Sequence, residues 1–155
     1  MANTEVKNYL NDLVATQGVF YVRLHQFHWY IKGPHFFALH EKFEELYDKV
    51  TEDMDEVAER LLAIGGSPYS TLREFAEHSV IKENSEDKNL SETDMVRAVI
   101  KDYETLRTSL DKGIQLTEDA GDFVSNDMLI AMKENVDLTI WMLQAFLGNE
   151  ATEAR

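Results

Sequence analysis

Apolar residues in the first thirty positions recur at three- and four-residue intervals. Val6, Leu10, Leu13, Val14, Phe20, Leu24, Phe27 and Ile31 form the series, which marks a helix with one buried face. The pattern predicts a helix from about Thr4 to Ile31. Gly33-Pro34 closes it, because proline disfavours helical backbone in the residue before it. A second series runs through Leu39, Phe43, Leu46, Tyr47, Val50, Met54, Val57, Leu61 and Leu62. It predicts a helix from about Phe36 to Ile64, stopped by Gly65-Gly66-Ser67-Pro68.

The stretch from Ser70 to His78 leaves room for a short helix, and the polar run from Lys82 to Asn89 reads as loop. Ser91-Glu92-Thr93-Asp94 suits a helix start, with Ser91 as N-cap and acids in the first turn. That third long helix runs through Met95, Val99, Tyr103, Leu106, Leu110 and Ile114 to about Glu118. A polar break from Asp119 to Ser125 follows, then a fourth helix from about Asp127 to Leu147, with Gly148 as its stop. The expected fold is all-α: an up-down four-helix bundle with a short helix in the long crossover between the second and third helices. One domain spans residues 1–155.

Composition narrows the chemistry. The chain has 155 residues, enough for one domain with a sizeable core. It has no cysteine, which excludes disulfides, thiolate metal sites and cysteine nucleophiles. Fifteen basic against 29 acidic residues leave a net charge of −14. Such a surface attracts cations and repels phosphate backbones. No run approaches the roughly 18 apolar residues that span a bilayer. The segment Met1 to Lys7 lacks the charged-then-apolar pattern of a secretory signal. A cytoplasmic protein without membrane contact is expected.

The informative residues lie on the first two helices. Leu24, Tyr21 and Gln17 precede His28 on one largely apolar stripe. Taken alone, His28 fits a hydrogen-bonded core or interface residue as well as a metal ligand. On the second helix, His40 and Glu44 are four apart and share a face, as do Asp55 and Glu59. Tyr47 and Met54 beside this stripe predict partial burial, and buried carboxylates near histidines need a proton or a metal. Eleven residues separate Glu44 from Asp55, about 16 Å along a helix. The two pairs therefore cannot grip one ion within a chain. Two copies packed antiparallel about a two-fold axis bring each His40/Glu44 pair against the other chain's Asp55/Glu59 pair. Imidazole with carboxylate and no sulfur suits Fe(II), Mn(II) or Zn(II). The run His40-Glu41-Lys42-Phe43-Glu44 has glutamate where a zinc protease needs a second histidine. No helix carries the Glu-x-x-His pairs of an intrachain di-iron bundle.

Three runs of sequence resemble the Dps family (DNA-binding proteins from starved cells), the small ferritins of bacteria. They are His25-Gln-Phe-His28-Trp29-Tyr30, Gly33-Pro34-His35-Phe36-Phe37-Ala38-Leu39-His40-Glu41-Lys42-Phe43, and the strongest, Asp55-Glu56-Val57-Ala58-Glu59-Arg60-Leu61-Leu62-Ala63-Ile64-Gly65-Gly66-Ser67-Pro68. Weaker similarity continues through Asn126-Asp127-Met128 and Trp141 to Gly148. The resemblance implies a ferritin-like bundle and a hollow shell of twelve copies. It implies iron as the metal, with ferroxidase sites at two-fold interfaces and room for two neighbouring metal positions. His28 and His40 would come from one chain, Asp55 and Glu59 from the other. The remaining first-chain position, often aspartate in the family, is Glu44. The family commonly uses hydrogen peroxide in preference to dioxygen, so that two Fe(II) ions share the two-electron reduction and no hydroxyl radical is released. It stores the ferric mineral and so protects DNA from oxidative damage.

Trp29 reads either as an electron relay beside the site or as a packed interface aromatic. Glu118, Asp122 and Asp127 surround the break before the fourth helix. The family resemblance makes them pore residues that admit iron, and an acidic helix cap is the compatible alternative. Met54 and Met142 are expected in the core. His25, His35 and His78 have no carboxylate at a ligating spacing. The alternatives to iron storage are a DNA-compacting structural protein of the same family and a helical oligomer without metal chemistry. Direct DNA binding is disfavoured, since the first ten residues hold only Lys7 and the stretch from Gly148 to Arg155 is not basic.

Overall fold

The computed structural model describes residues 4–151. Four long helices carry the chain: α1 (Thr4–Tyr30), α2 (Phe36–Ala63), α4 (Glu92–Asp119) and α5 (Phe123–Phe146). The short α3 (Leu72–His78) and a 3-10 turn (Ser85–Asn89) lie in the crossover between α2 and α4. α1 packs on α2, α4 on α5, and α1 also meets α3 and α4. The predicted stripes supply the core: Leu10, Leu13, Phe20, Leu24 and Phe27 of α1 meet Leu39, Phe43 and Leu61 of α2, Met95 and Leu110 of α4, and Leu129 of α5, all essentially inaccessible. Phe20 and Tyr103 meet edge to face at 4.8 Å.

Local chemistry sets the helix ends. Ser91 accepts from the Asp94 N–H, as a capping serine should. Thr71 and Glu74 form a reciprocal capping box that starts α3. Two boundaries differ from the sequence expectation. α5 begins at Phe123, four residues early, because the Asp122 carboxylate accepts from the Ser125 N–H and caps the helix there. The polar run before α4 is not all loop. Asn84 caps the 3-10 turn by accepting from the Glu86 N–H, and Arg23 of α1 holds Asp87 at 3.0 Å.

Arg23 is buried and also donates to Asp102 of α4 at 2.6 Å. It thus ties α1, the crossover and α4 together. Burial pushes the Asp102 carboxyl up to about 6, against the attraction of Arg23. No helix among the described residues is long and apolar enough to cross a membrane.

Candidate metal centre

The α1–α2 hairpin brings His28, from the end of α1, against His40, from the first turns of α2. Each imidazole binds the other residue's backbone. His28 Nδ1 donates to the His40 carbonyl at 2.7 Å, and His40 Nδ1 donates to the His28 carbonyl at 2.7 Å. A carbonyl oxygen only accepts, so both Nδ1 atoms carry the proton and both Nε2 atoms keep a lone pair when the rings are neutral. The rings stack 3.7 Å apart and 13° from parallel. Both are therefore fixed in tautomer and orientation, the usual role of a hydrogen bond behind a metal-binding histidine. Glu44, one turn beyond His40, puts Oε1 3.9 Å from His28 Nε2.

Asp55 and Glu59 lie further along the same unbroken α2. Among the described residues no three His, Asp or Glu side chains converge to hold a metal ion. His28 stacks on His40 and lies near Glu44 in this chain; Asp55 and Glu59 are not brought to them. The expected partial burial of the carboxylate stripe is corrected here: Glu44, Asp55 and Glu59 are exposed in the single chain. The apolar neighbours Tyr47 and Met54 point toward α1 and the core edge, so they do not cover the stripe.

The surroundings hold features invisible to spacing. His25 donates to the Tyr21 carbonyl at 2.8 Å and stacks on Tyr47 at 3.8 Å. Tyr47 in turn meets the His28 ring edge-on at 5.3 Å. The heptad-like recurrence of Tyr21, His25 and His28 is the one sequence signal that could have found this aromatic wall. Trp29 touches His25 edge-on at 5.3 Å but is two-thirds exposed. His35 pairs with Glu92 of α4 and His78 lies 3.7 Å from Asp12; both carboxylates are distant in sequence. Met54 and Met142 are half-buried, not core. Asp53, unnoticed in the sequence, is buried with Lys49 at 3.0 Å, and burial raises its carboxyl's pKa despite that lysine.

The residues before α5 divide. Asp122 is consumed by structure: it binds Ser125 Oγ at 2.6 Å and Arg60 at 3.0 Å. Glu118 and Asp127 are exposed.

Residues 7–152 match a family described as a ferritin-like domain. A DNA protection during starvation protein from Listeria monocytogenes is 48% identical over 151 residues, covering 97% of each chain. The crystal structure of Dps from that organism superposes with a TM-score of 0.93 at 49% identity, over 96% of each chain. A cobalt-soaked Dps from Listeria innocua gives 0.94 at 48% identity, over 97% of each.

Proposed function

This chain belongs to the ferritin-like family, on its Dps branch, and from that premise we propose that it is a ferroxidase whose sites are shared between two copies. Fe(II) is the substrate. His28 and His40 present Nε2 lone pairs from one copy, Glu44 adds a carboxylate, and Asp55 and Glu59 of the second copy complete the donor set. The observation that carries the proposal is the reciprocal His28–His40 lock beside Glu44. Both imidazoles are oriented, and among the described residues of one chain no group of three such side chains could hold a metal ion. Neutral imidazole and carboxylate together suit Fe(II).

The donor set has room for two neighbouring ions. Two Fe(II) ions give one electron each to hydrogen peroxide, the proposed preferred oxidant over dioxygen, so the O–O bond is cleaved without a free hydroxyl radical. Twelve copies form a hollow shell in the cytoplasm, where ferric mineral collects and DNA is spared oxidative damage. Glu118 and Asp127 draw cations to its pores. Trp29 is an aromatic neighbour of the site. The −14 charge opposes direct duplex binding, and absence of a mobility shift at physiological salt is the expected result for purified protein.

The shared site is tested by mixing two defects. His40→Ala and Glu59→Ala variants each lose high-affinity Fe(II) binding, because every site lacks a ligand. Refolded together, about half the dimers are mixed by random pairing, and each mixed two-fold dimer holds one complete site. Recovery of about a quarter of wild-type binding is expected from that symmetry. No recovery, with mixed assembly verified by tagged chains, would refute a site built from two chains. Anaerobic Fe(II) titration followed by peroxide or dioxygen, in separate samples, tests the oxidant.

A further inference from the structure

α2 carries His40, Glu44, Asp55 and Glu59, yet the start of that helix lacks a cap of its own. The first N–H groups of a helix have no partner within it. Thr71, Ser91 and Asp122 meet this need locally for α3, α4 and α5, each accepting from a backbone N–H three residues on. At α2 the N-cap is His35, whose side chain makes no cap, and the first turn holds no acid. Ala38 stands where a capping-box glutamate would stand.

The missing partner comes from α4. Glu92, the first residue of that helix, accepts from the His35 backbone N–H through Oε2 at 3.0 Å, and its Oε1 pairs with His35 Nδ1. The first of these is the bond that a glutamate three residues into a helix makes in a capping box. Here it is made by a residue 57 positions away. The Glu92 side chain is only 13% exposed. Gly33, at φ 141°, presses on it so closely that a Cβ there would come within 2.5 Å of Oε2. The turn before α2 is thus seated on Glu92, whose negative charge lies beside the positive end of α2. Phe146 of α5 adds an edge-on contact to the His35 ring at 5.2 Å.

That turn sets the metal ligands. His40 follows His35 by five residues, in the second turn of α2. The reciprocal ring-to-carbonyl bonds of His28 and His40 span the turn at 2.7 Å each. Both depend on where α2 starts relative to the end of α1, so a shift of its first turns disturbs both at once. We infer that Glu92 is a positioning residue for the metal centre: by capping α2 from another helix it holds His40 in register with His28. The inference rests on the reading of His28 and His40 as Fe(II) ligands. Glu92 itself touches no iron; it acts through His40.

Anaerobic Fe(II) titration of the assembled, full-length protein tests this. Glu92→Asp keeps an acid in the first turn of α4 but draws the carboxylate back by one methylene. It should weaken Fe(II) binding about tenfold, the lower end of what losing a histidine's orienting partner costs. Glu92→Ala should weaken it at least as much. Glu92→Gln should bind near the wild-type value, because its amide oxygen accepts from the His35 N–H and its amide nitrogen donates to a His35 Nδ1 whose proton has moved to Nε2. Gly113→Ala, which crowds Tyr9 at the end of α1 remote from His28, controls for general loss of stability and should leave affinity unchanged. The weak binding that remains in His40→Ala should not fall further when Glu92→Asp is added, since the two residues act as one unit. Wild-type affinity in Glu92→Asp, an equal loss in Gly113→Ala, no rescue by glutamine, or full additivity with His40→Ala overturns the inference. If His40→Ala itself binds normally, the ligand reading falls. If it loses binding while the Glu92 variants do not, only the positioning role falls.

Discussion

His28 and His40 hold one another's backbone: each ring donates from Nδ1 to the other's carbonyl, and the stacked pair turns both Nε2 atoms outward together. Each histidine is oriented by the other's backbone carbonyl and packed by the other's ring. His28→Ala should therefore lower Fe(II) affinity by more than one lost ligand, because His40 keeps its ring but loses the stacking partner and shares a disturbed turn. Losing a group that orients a metal-binding histidine typically costs about 10–100-fold in metal affinity. Anaerobic titration of the single variants and the double variant checks this. Strict additivity of the two single losses would contradict the lock.

The acidic residues before α5 should separate by role. Asp122→Ala removes the cap on Ser125 and the pairing with Arg60, so it should destabilise the chain by about 1–2 kcal/mol. Glu118→Gln and Asp127→Asn remove exposed charge and should leave stability nearly unchanged. Those two should instead slow mineral growth, with a weaker difference at high salt. Denaturant midpoints and iron-uptake rates across ionic strength distinguish the outcomes.

Arg23 and Asp102 form a buried pair between α1 and α4, and the same Arg23 holds Asp87 of the crossover. Removing one partner of such a pair typically costs about 3–5 kcal/mol, so Arg23→Ala should unfold at much lower denaturant and expose Ser85–Asn89 to proteolysis. The Asp102 carboxyl in the folded protein, at about 6, lies above its ordinary 3.8. Its folded form binds the proton more tightly, so its contribution to stability is full below 3.8 and is lost as pH rises through about 6. Carboxyl titration by NMR should find this midpoint, and Arg23→Ala should raise it by removing the compensating charge.

Gly113 lets α4 approach α1. A Cβ there would sit 2.2 Å from the Tyr9 ring, and the buried Tyr9 hydroxyl donates to the Ser109 carbonyl at 2.7 Å. Gly113→Ala should force the ring aside and cost about 1–3 kcal/mol by overpacking, despite alanine's better helix propensity. Equilibrium denaturation measures it; a stabilised variant would refute the close contact.

Periodicity determined the four long helices and the identity of the core stripes, because a helix with one buried face must repeat at its own pitch; the short crossover helix followed only from the room left between Ser70 and His78. Spacing also determined that His40 shares a face with Glu44 and Asp55 with Glu59, and that the two pairs stand too far apart to meet on one helix. Only the tertiary structure decided what those residues touch. The His28–His40 lock depends on two backbone carbonyls brought together by the α1–α2 turn. The Arg23–Asp102 and His35–Glu92 pairs join positions more than fifty residues apart. Asp122 became a cap rather than a free surface charge because Arg60 of α2 and Ser125 of α5 converge on it. Pitch is a local property of the backbone and is written along the chain. A side chain's partner depends on how elements pack, and sequence order does not carry that.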